Sequence, residues 1–123
     1  MPKIFFLDTG LRNFALRNFT ELTFRPDKGS LFENTIFIQL YKNLNITDQL
    51  FFWRTISKTE VDFILTGERK WAFEVKPTQD SRLTPPPGLN AFFKLYPDFS
   101  NVVVTLNRFV RGKGVSYLRG WMI

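Results

Sequence analysis

Apolar positions recur along the chain in two periods, and the changes of period divide it into elements. Lys3 to Leu7 is a short apolar run closed by Asp8-Thr9-Gly10, which predicts a strand and a turn. Residues 11–28 hold no sustained period; they predict a brief helix over Leu11 to Phe19 and a polar loop through Pro26-Asp27-Lys28-Gly29. From Ser30 the spacing becomes three and four. Leu31, Phe32, Thr35, Ile36, Ile38, Gln39, Leu40 and Leu44 predict a helix from Leu31 to Asn45, and Ser30 followed three residues later by Glu33 has the form of a capping box. Three strand-length runs follow, Gln49 to Arg54, Glu60 to Leu65 and Lys70 to Val75, with polar turns between them, so an antiparallel meander is expected. Thr78 to Gly88, with prolines at 85–87, predicts a surface loop. Leu89 to Tyr96 reads as a short helix, and Val102 to Leu106 as a buried strand parallel to an inner one. Arg108 to Gly114 reads as a basic turn, and Val115 to Ile123 as a last strand.

This is the pattern of one α/β domain spanning residues 1–123, with no repeat and no interdomain linker. The absence of both Cys and His removes disulfides, zinc fingers, cysteine nucleophiles and the Ser-His-Asp triad. Any catalysis falls to carboxylates, lysine or a metal. The net charge of +6 favours a polyanionic partner such as nucleic acid. No apolar run approaches the roughly 18 residues of a membrane span, and the start lacks the apolar core of a signal peptide, so a cytoplasmic location is expected.

The acidic residues then acquire a pattern. Strand alternation puts Asp62 on a face with Ile64, opposite Val61, Phe63 and Leu65, and puts Glu74 and Lys76 on a face with Ala72. A three-residue hairpin loop at Gly67 to Arg69 would pair Thr66 with Lys70 and set Asp62 opposite Glu74, with Cβ atoms about 4.5–5.5 Å apart. Two carboxylates so close repel each other unless a cation lies between them. A divalent ion of the Mg²⁺ or Mn²⁺ type, held by oxygen alone, resolves the conflict, and Lys76 further along the face can orient or deprotonate the attacking water. Glu33, one turn into its helix, reaches the same sheet edge if the helix packs there. The bland alternative is a solvated ion cluster, with Glu33 as a capping residue.

Asp62 followed by Glu74-Val75-Lys76 resembles the core motif of the PD-(D/E)XK nuclease superfamily. Five blocks, at Lys3 to Leu11, Gly29 to Asn34, Phe52 to Thr55, Glu60 to Phe63 and Phe73 to Lys76, further resemble the nuclease-like C-terminal domain of uncharacterised prokaryotic AAA+ ATPases. The resemblance covers nearly the whole chain. It implies a restriction-endonuclease-like fold, a central mixed β-sheet flanked by helices. It also implies metal ligation by Asp62 and Glu74, catalysis by Lys76, and a supporting acid at Glu33. No Gly-x-x-x-x-Gly-Lys-Ser/Thr is present, so any ATPase module lies elsewhere. Lys58-Thr59 stands where that family has small residues.

The sequence therefore leads to a metal-dependent nuclease acting on nucleic acid, with DNA the expected polymer. Arg54, Lys58, Arg108, Arg111 and Lys113 are the main candidates for phosphate contact, with Arg12, Arg17 and Lys28 beside them. Cleaving both strands would call for a homodimer. Two rivals exist. Asp8-Thr9-Gly10 imitates the aspartic-protease loop, but Leu11-Arg12 stands where small and acidic residues are expected and the few residues before it leave no room for the full strand that should precede it, so Asp8 reads as turn chemistry. A non-catalytic module of the same fold would keep the acids as a polar network and use Phe51-Phe52-Trp53 as a contact surface, although core packing is the expected role of these aromatics.

Overall fold

A computed structural model describes residues 2–77, 84–112 and 114–123. It contains a six-stranded mixed sheet flanked by three helices. The elements are α1 (Thr9–Ala15), α2 (Lys28–Lys42), β1 (Gln49–Arg54), β2 (Glu60–Thr66), β3 (Trp71–Lys76), α3 (Pro87–Leu95), β4 (Ser100–Thr105), β5 (Val110–Arg111) and β6 (Val115–Arg119). Strand order is β1-β2-β3-β4-β6-β5. The first three strands form the expected antiparallel meander, β4 runs parallel to β3 and to β6, and β5 pairs antiparallel on the far edge. Among the described residues no helix is long and apolar enough to cross a membrane.

The sheet buries a layer on each face. On one side Phe63, Leu65, Phe73, Val75, Val102 and Val104 pack against Ile36 and Leu40 of α2. On the other, Val61, Ile64, Ala72, Val103 and Tyr117 pack with Leu89 and Phe92 of α3. Inner strands covered on both faces need near-continuous apolar runs, which β4 supplies in Val102-Val103-Val104.

Several expectations change. Lys3 to Leu7 forms no strand and joins no sheet; the side-chain amide of Asn34 satisfies Phe6 instead, accepting its N–H and donating to its carbonyl, each at 2.9 Å. Asp8 caps α1 by accepting from the Leu11 N–H. α2 begins three residues before the expected helix, at Lys28, with Asp27 as N-cap, so Ser30 lies inside the helix and no capping box forms. Of the expected loop at 78–88, residues 78–83 lie outside the described residues, and Pro87 and Gly88 already belong to α3, where proline at the first helical position loses no hydrogen bond. The last strand stops at Arg119, because the chain turns at Gly120 against Phe32 and Ile36 of α2.

α1 is inside out. Its Arg12 is buried, whereas Leu11 and Phe14 are 58% and 70% exposed, and Phe19, Leu22 and Phe24 beyond it are exposed as well. Arg12 is drawn inward by Asp27, at 3.0 Å, which Arg25 also grips through two nitrogens at 2.9 Å each.

Candidate active site

The β2–β3 ladder holds the register Phe63↔Phe73, Ile64↔Ala72 and Leu65↔Trp71, that of a three-residue and not a two-residue hairpin loop. Continued by one step, it sets Asp62 opposite Glu74. The ladder stops short of that step. The Asp62 Oδ2 atom accepts the Val75 N–H at 2.8 Å, so a side-chain carboxylate and not the β2 backbone meets β3 at that point.

The expected sharing of one face needs correcting. Against β1, Phe51 pairs with Ile64 and Trp53 with Val61, so Asp62 and Phe63 together stand opposite Phe52. This bulge breaks the alternation in β2. Val61 and Ile64 pack on the α3 side, and Asp62 turns toward Lys3, Phe5 and Phe37 on the α2 side. Glu74 instead follows Ala72 to the α3 side, where the backbone of Gly88 closes over it. A Cβ at position 88 would run into the Glu60 carbonyl oxygen and come within 3.1 Å of the Glu74 Oε2 atom. The two carboxylates therefore flank one peptide group, Glu74–Val75, at the open end of the ladder.

Glu74 and Lys76 do share a side: the Lys76 ammonium donates to the Glu74 Oε1 atom at 2.9 Å. Glu74 is 7% exposed, and its other oxygen is buried without a hydrogen-bond partner. Glu33 reaches the site from α2, as expected of it, but meets a lysine that the sequence did not single out. The Lys3 ammonium donates to Glu33 at 3.0 Å and to Asp62 at 3.4 Å, with a Glu60 oxygen at 3.9 Å. Lys3 and Glu60 are the residues that sequence reasoning missed. Glu60 was findable, two residues before Asp62 in the same strand, whereas nothing local links Lys3 to residues so far along the chain.

Protonation follows from burial. Burial pushes the Glu33 carboxyl up, Asp62 and Glu60 push it further, and Lys3 only partly offsets them. Burial likewise raises Glu74 against the pull of Lys76, with Asp62 and Glu60 adding to the rise. For Lys3 and Lys76 burial opposes the charge, but the hydrogen-bonded partner, Glu33 or Glu74 respectively, and the other carboxylates outweigh it, so both ammonium groups are held above the usual lysine value.

Among the described residues no three acidic side chains converge tightly enough to form a metal cage on their own. The donor set still suits a hard cation, because Mg²⁺ is commonly held through one or two carboxylates with water and substrate oxygens completing its shell. The unpartnered oxygen of Glu74 and the carboxylate of Asp62 are of that kind.

The basic candidates divide. Arg54 is exposed at the end of β1, where it is the register partner of Glu60, and Lys58 is exposed on the β1–β2 turn. Arg108 follows the end of β4; its N–H is held by Thr105, the register partner of Lys76, and its guanidinium lies over the Tyr117 ring at 5.2 Å. Arg111 is exposed on edge strand β5, Arg17 and Lys28 are exposed elsewhere, and Lys113 lies outside the described residues. Arg12 is removed from the set, because its buried ion pair with Asp27 makes it structural.

The aromatics of β1 are also redistributed. Trp53 packs on Phe92, but Phe51 and Phe52 are about half exposed, contrary to the expected core role, because β1 is an edge strand. With Phe5, Phe37, Leu50 and Phe63 they line a pocket of about 310 Å³ that Lys3 and Asp62 also border.

A family model described as Domain of unknown function (DUF4143) matches residues 28–118, in a family of C-terminal domains associated with AAA ATPases. No curated protein and no solved structure matches the chain.

Proposed function

We propose that this chain, which belongs to the DUF4143 family, is a metal-dependent phosphodiesterase domain acting on nucleic acid, with DNA the expected polymer. One observation carries the reading. Glu74 is buried beside Lys76 with an oxygen left unpartnered, one peptide away from a carboxylate, Asp62, that interrupts its own sheet to be there. Stability alone gives no reason to bury a carboxylate at such a place, since an unsatisfied buried acceptor costs roughly 1–3 kcal/mol.

In this reading Asp62 and Glu74, which approach the Glu74–Val75 peptide from its two sides at the open end of the ladder, would hold Mg²⁺ or Mn²⁺, and the ion would supply Lewis-acid polarisation of a phosphoryl oxygen. Lys76 has a raised pKa, so near neutral pH it works as an ammonium that orients the attacking water and balances charge developing on the phosphate, and not as a general base. Glu33 supports the site from α2. Arg54, Lys58, Arg108 and Arg111, with Lys113, supply phosphate contacts. A homodimer would bring two such sites to a duplex. An ATPase module elsewhere accords with the family's association, since the chain carries no phosphate-cradling loop.

The test is cleavage in Mg²⁺ or Mn²⁺ of single-stranded, duplex and branched substrates, with Lys76→Ala and Asp62→Asn as controls. Both variants should lose cleavage and keep most polyanion affinity. The second reading, a non-catalytic accessory module, is favoured by Lys3, whose ammonium already satisfies Glu33 and Asp62 from within the chain. Binding without cleavage above the Lys76→Ala background would make that reading the better one.

A further inference from the structure

The N-terminal segment enters the site from outside the sheet and is fastened there. Phe6 is held through both backbone polar groups by Asn34, and Phe5 stacks on Phe37 with ring centroids 4.6 Å apart and tilts against Phe63 at 5.4 Å. Lys3, just before these anchors, delivers its ammonium among three carboxylates from two elements, Glu33 of α2 and Glu60 and Asp62 of β2. The Asp62 oxygen that faces Lys3 is Oδ1, and its other oxygen is taken by the Val75 N–H. A cation bound through Oδ1 therefore meets the Lys3 ammonium at the same oxygen, where two positive charges repel.

We propose that Lys3 is a built-in counter-ion whose ammonium and a divalent cation compete for Asp62, so that cation binding and the seated position of the Pro2–Leu7 strap exclude each other. The proposal rests on the reading of Asp62 as a cation ligand and adds how access to that ligand is regulated. A competitor within the chain lowers apparent affinity by the fraction of molecules in which it has let go. Removing it should raise affinity, whereas replacing it with another cationic side chain should not.

The experiment is calorimetric titration of Mn²⁺ into the wild type, Lys3→Met and Lys3→Arg, with circular dichroism to verify folding. Lys3→Met should bind Mn²⁺ about tenfold or more tighter, while Lys3→Arg stays near the wild type. In the wild type, saturating Mn²⁺ should speed hydrogen exchange at the Phe6 amide, which the seated strap protects through Asn34. Equal or weaker Mn²⁺ binding by folded Lys3→Met overturns the proposal. Should Lys3→Met fail to fold, Phe6 exchange in the wild type decides, and exchange unmoved by Mn²⁺ overturns it. Cleavage separates this from the functional reading: activity without competition leaves the phosphodiesterase and removes the counter-ion, and competition without activity does the reverse.

Discussion

Asp27 and Glu33 lie less than two turns apart at the start of α2, and each takes part in a partly buried ion cluster, yet the two clusters are built to opposite ends. Around Asp27 cations are in excess. Arg25 grips both of its oxygens, Arg12 adds a third contact, and the remaining Arg25 nitrogen is satisfied by the Asn13 side chain and the Asn18 carbonyl. The hydrogen bond from Arg25 leads the effects that hold the Asp27 carboxyl well below the usual carboxylate range. Around Glu33 carboxylates are in excess, and burial, with Asp62 and Glu60 beside it, drives its pKa up in spite of Lys3. A cluster whose one carboxylate is gripped at both oxygens is what a fold needs to pin α1 to α2. One that leaves carboxylates raised and an oxygen of Glu74 unanswered stores unfavourable charge, which is the arrangement that active sites use.

The largest effect should come from breaking the satisfied cluster. Asp27→Ala strands two buried guanidinium groups and should cost about 3–5 kcal/mol in urea denaturation, enough to loosen residues 9–27. A loss under about 1 kcal/mol would mean that the cluster is not what holds this region.

Next comes pH, on which the clusters act with opposite sign. Asp27 has a lowered folded pKa, so its contribution is present above its unfolded value of about 3.9 and is lost as pH falls through the lowered one. Glu33 and Glu74 have raised folded pKa values. Their contribution is full below the unfolded value of about 4.3 and is lost as pH rises through the raised ones. Urea midpoints followed between about pH 3 and 7 should show both effects in the wild type. A double variant, Glu33→Gln with Glu74→Gln, should keep the acid-side loss and no longer lose stability on the way to neutrality.

A smaller contrast comes from neutralising one carboxylate in each cluster. Glu74→Gln should leave stability unchanged or raise it by up to about 1 kcal/mol while abolishing cleavage, whereas Asp27→Asn should destabilise. Thermal melts of the two variants side by side check this, and a marked loss for Glu74→Gln would mean that its carboxylate is better satisfied than its burial indicates. The smallest effect on stability belongs to the rim. Arg111→Glu should shift unfolding by no more than about 0.5 kcal/mol yet weaken binding to a DNA oligonucleotide and flatten its salt dependence, read by anisotropy at several salt concentrations.

The elements that periodicity marked, α2, the meander and β4, form within a few residues of their expected bounds, because each carries its own apolar pattern. The hairpin register was not legible in that way, because it turns on whether the loop has three residues or two, which the apolar pattern alone does not decide. What escaped is long-range or irregular. The bulge at Asp62 and Phe63 follows from how β1 pairs with β2, and it turned Asp62 to the side opposite the one that simple alternation gives. Asn34 standing in for a strand partner of Phe6 leaves no local trace, so Lys3 to Leu7 looked like a strand. Arg12 looked like a surface charge for the same reason, since its partner Asp27 lies in the next helix.

The inverted polarity of α1 also governs how the chain behaves among its own copies. With Leu11, Phe14, Phe19, Leu22 and Phe24 facing water, attraction between molecules is opposed mainly by the long-range repulsion of a net charge of +6. Salt shortens that repulsion to a Debye length of about 8 Å at physiological strength, and sulfate in addition strengthens apolar association. Light scattering should therefore show association between copies rising with salt, and rising further in sulfate than in chloride at equal ionic strength.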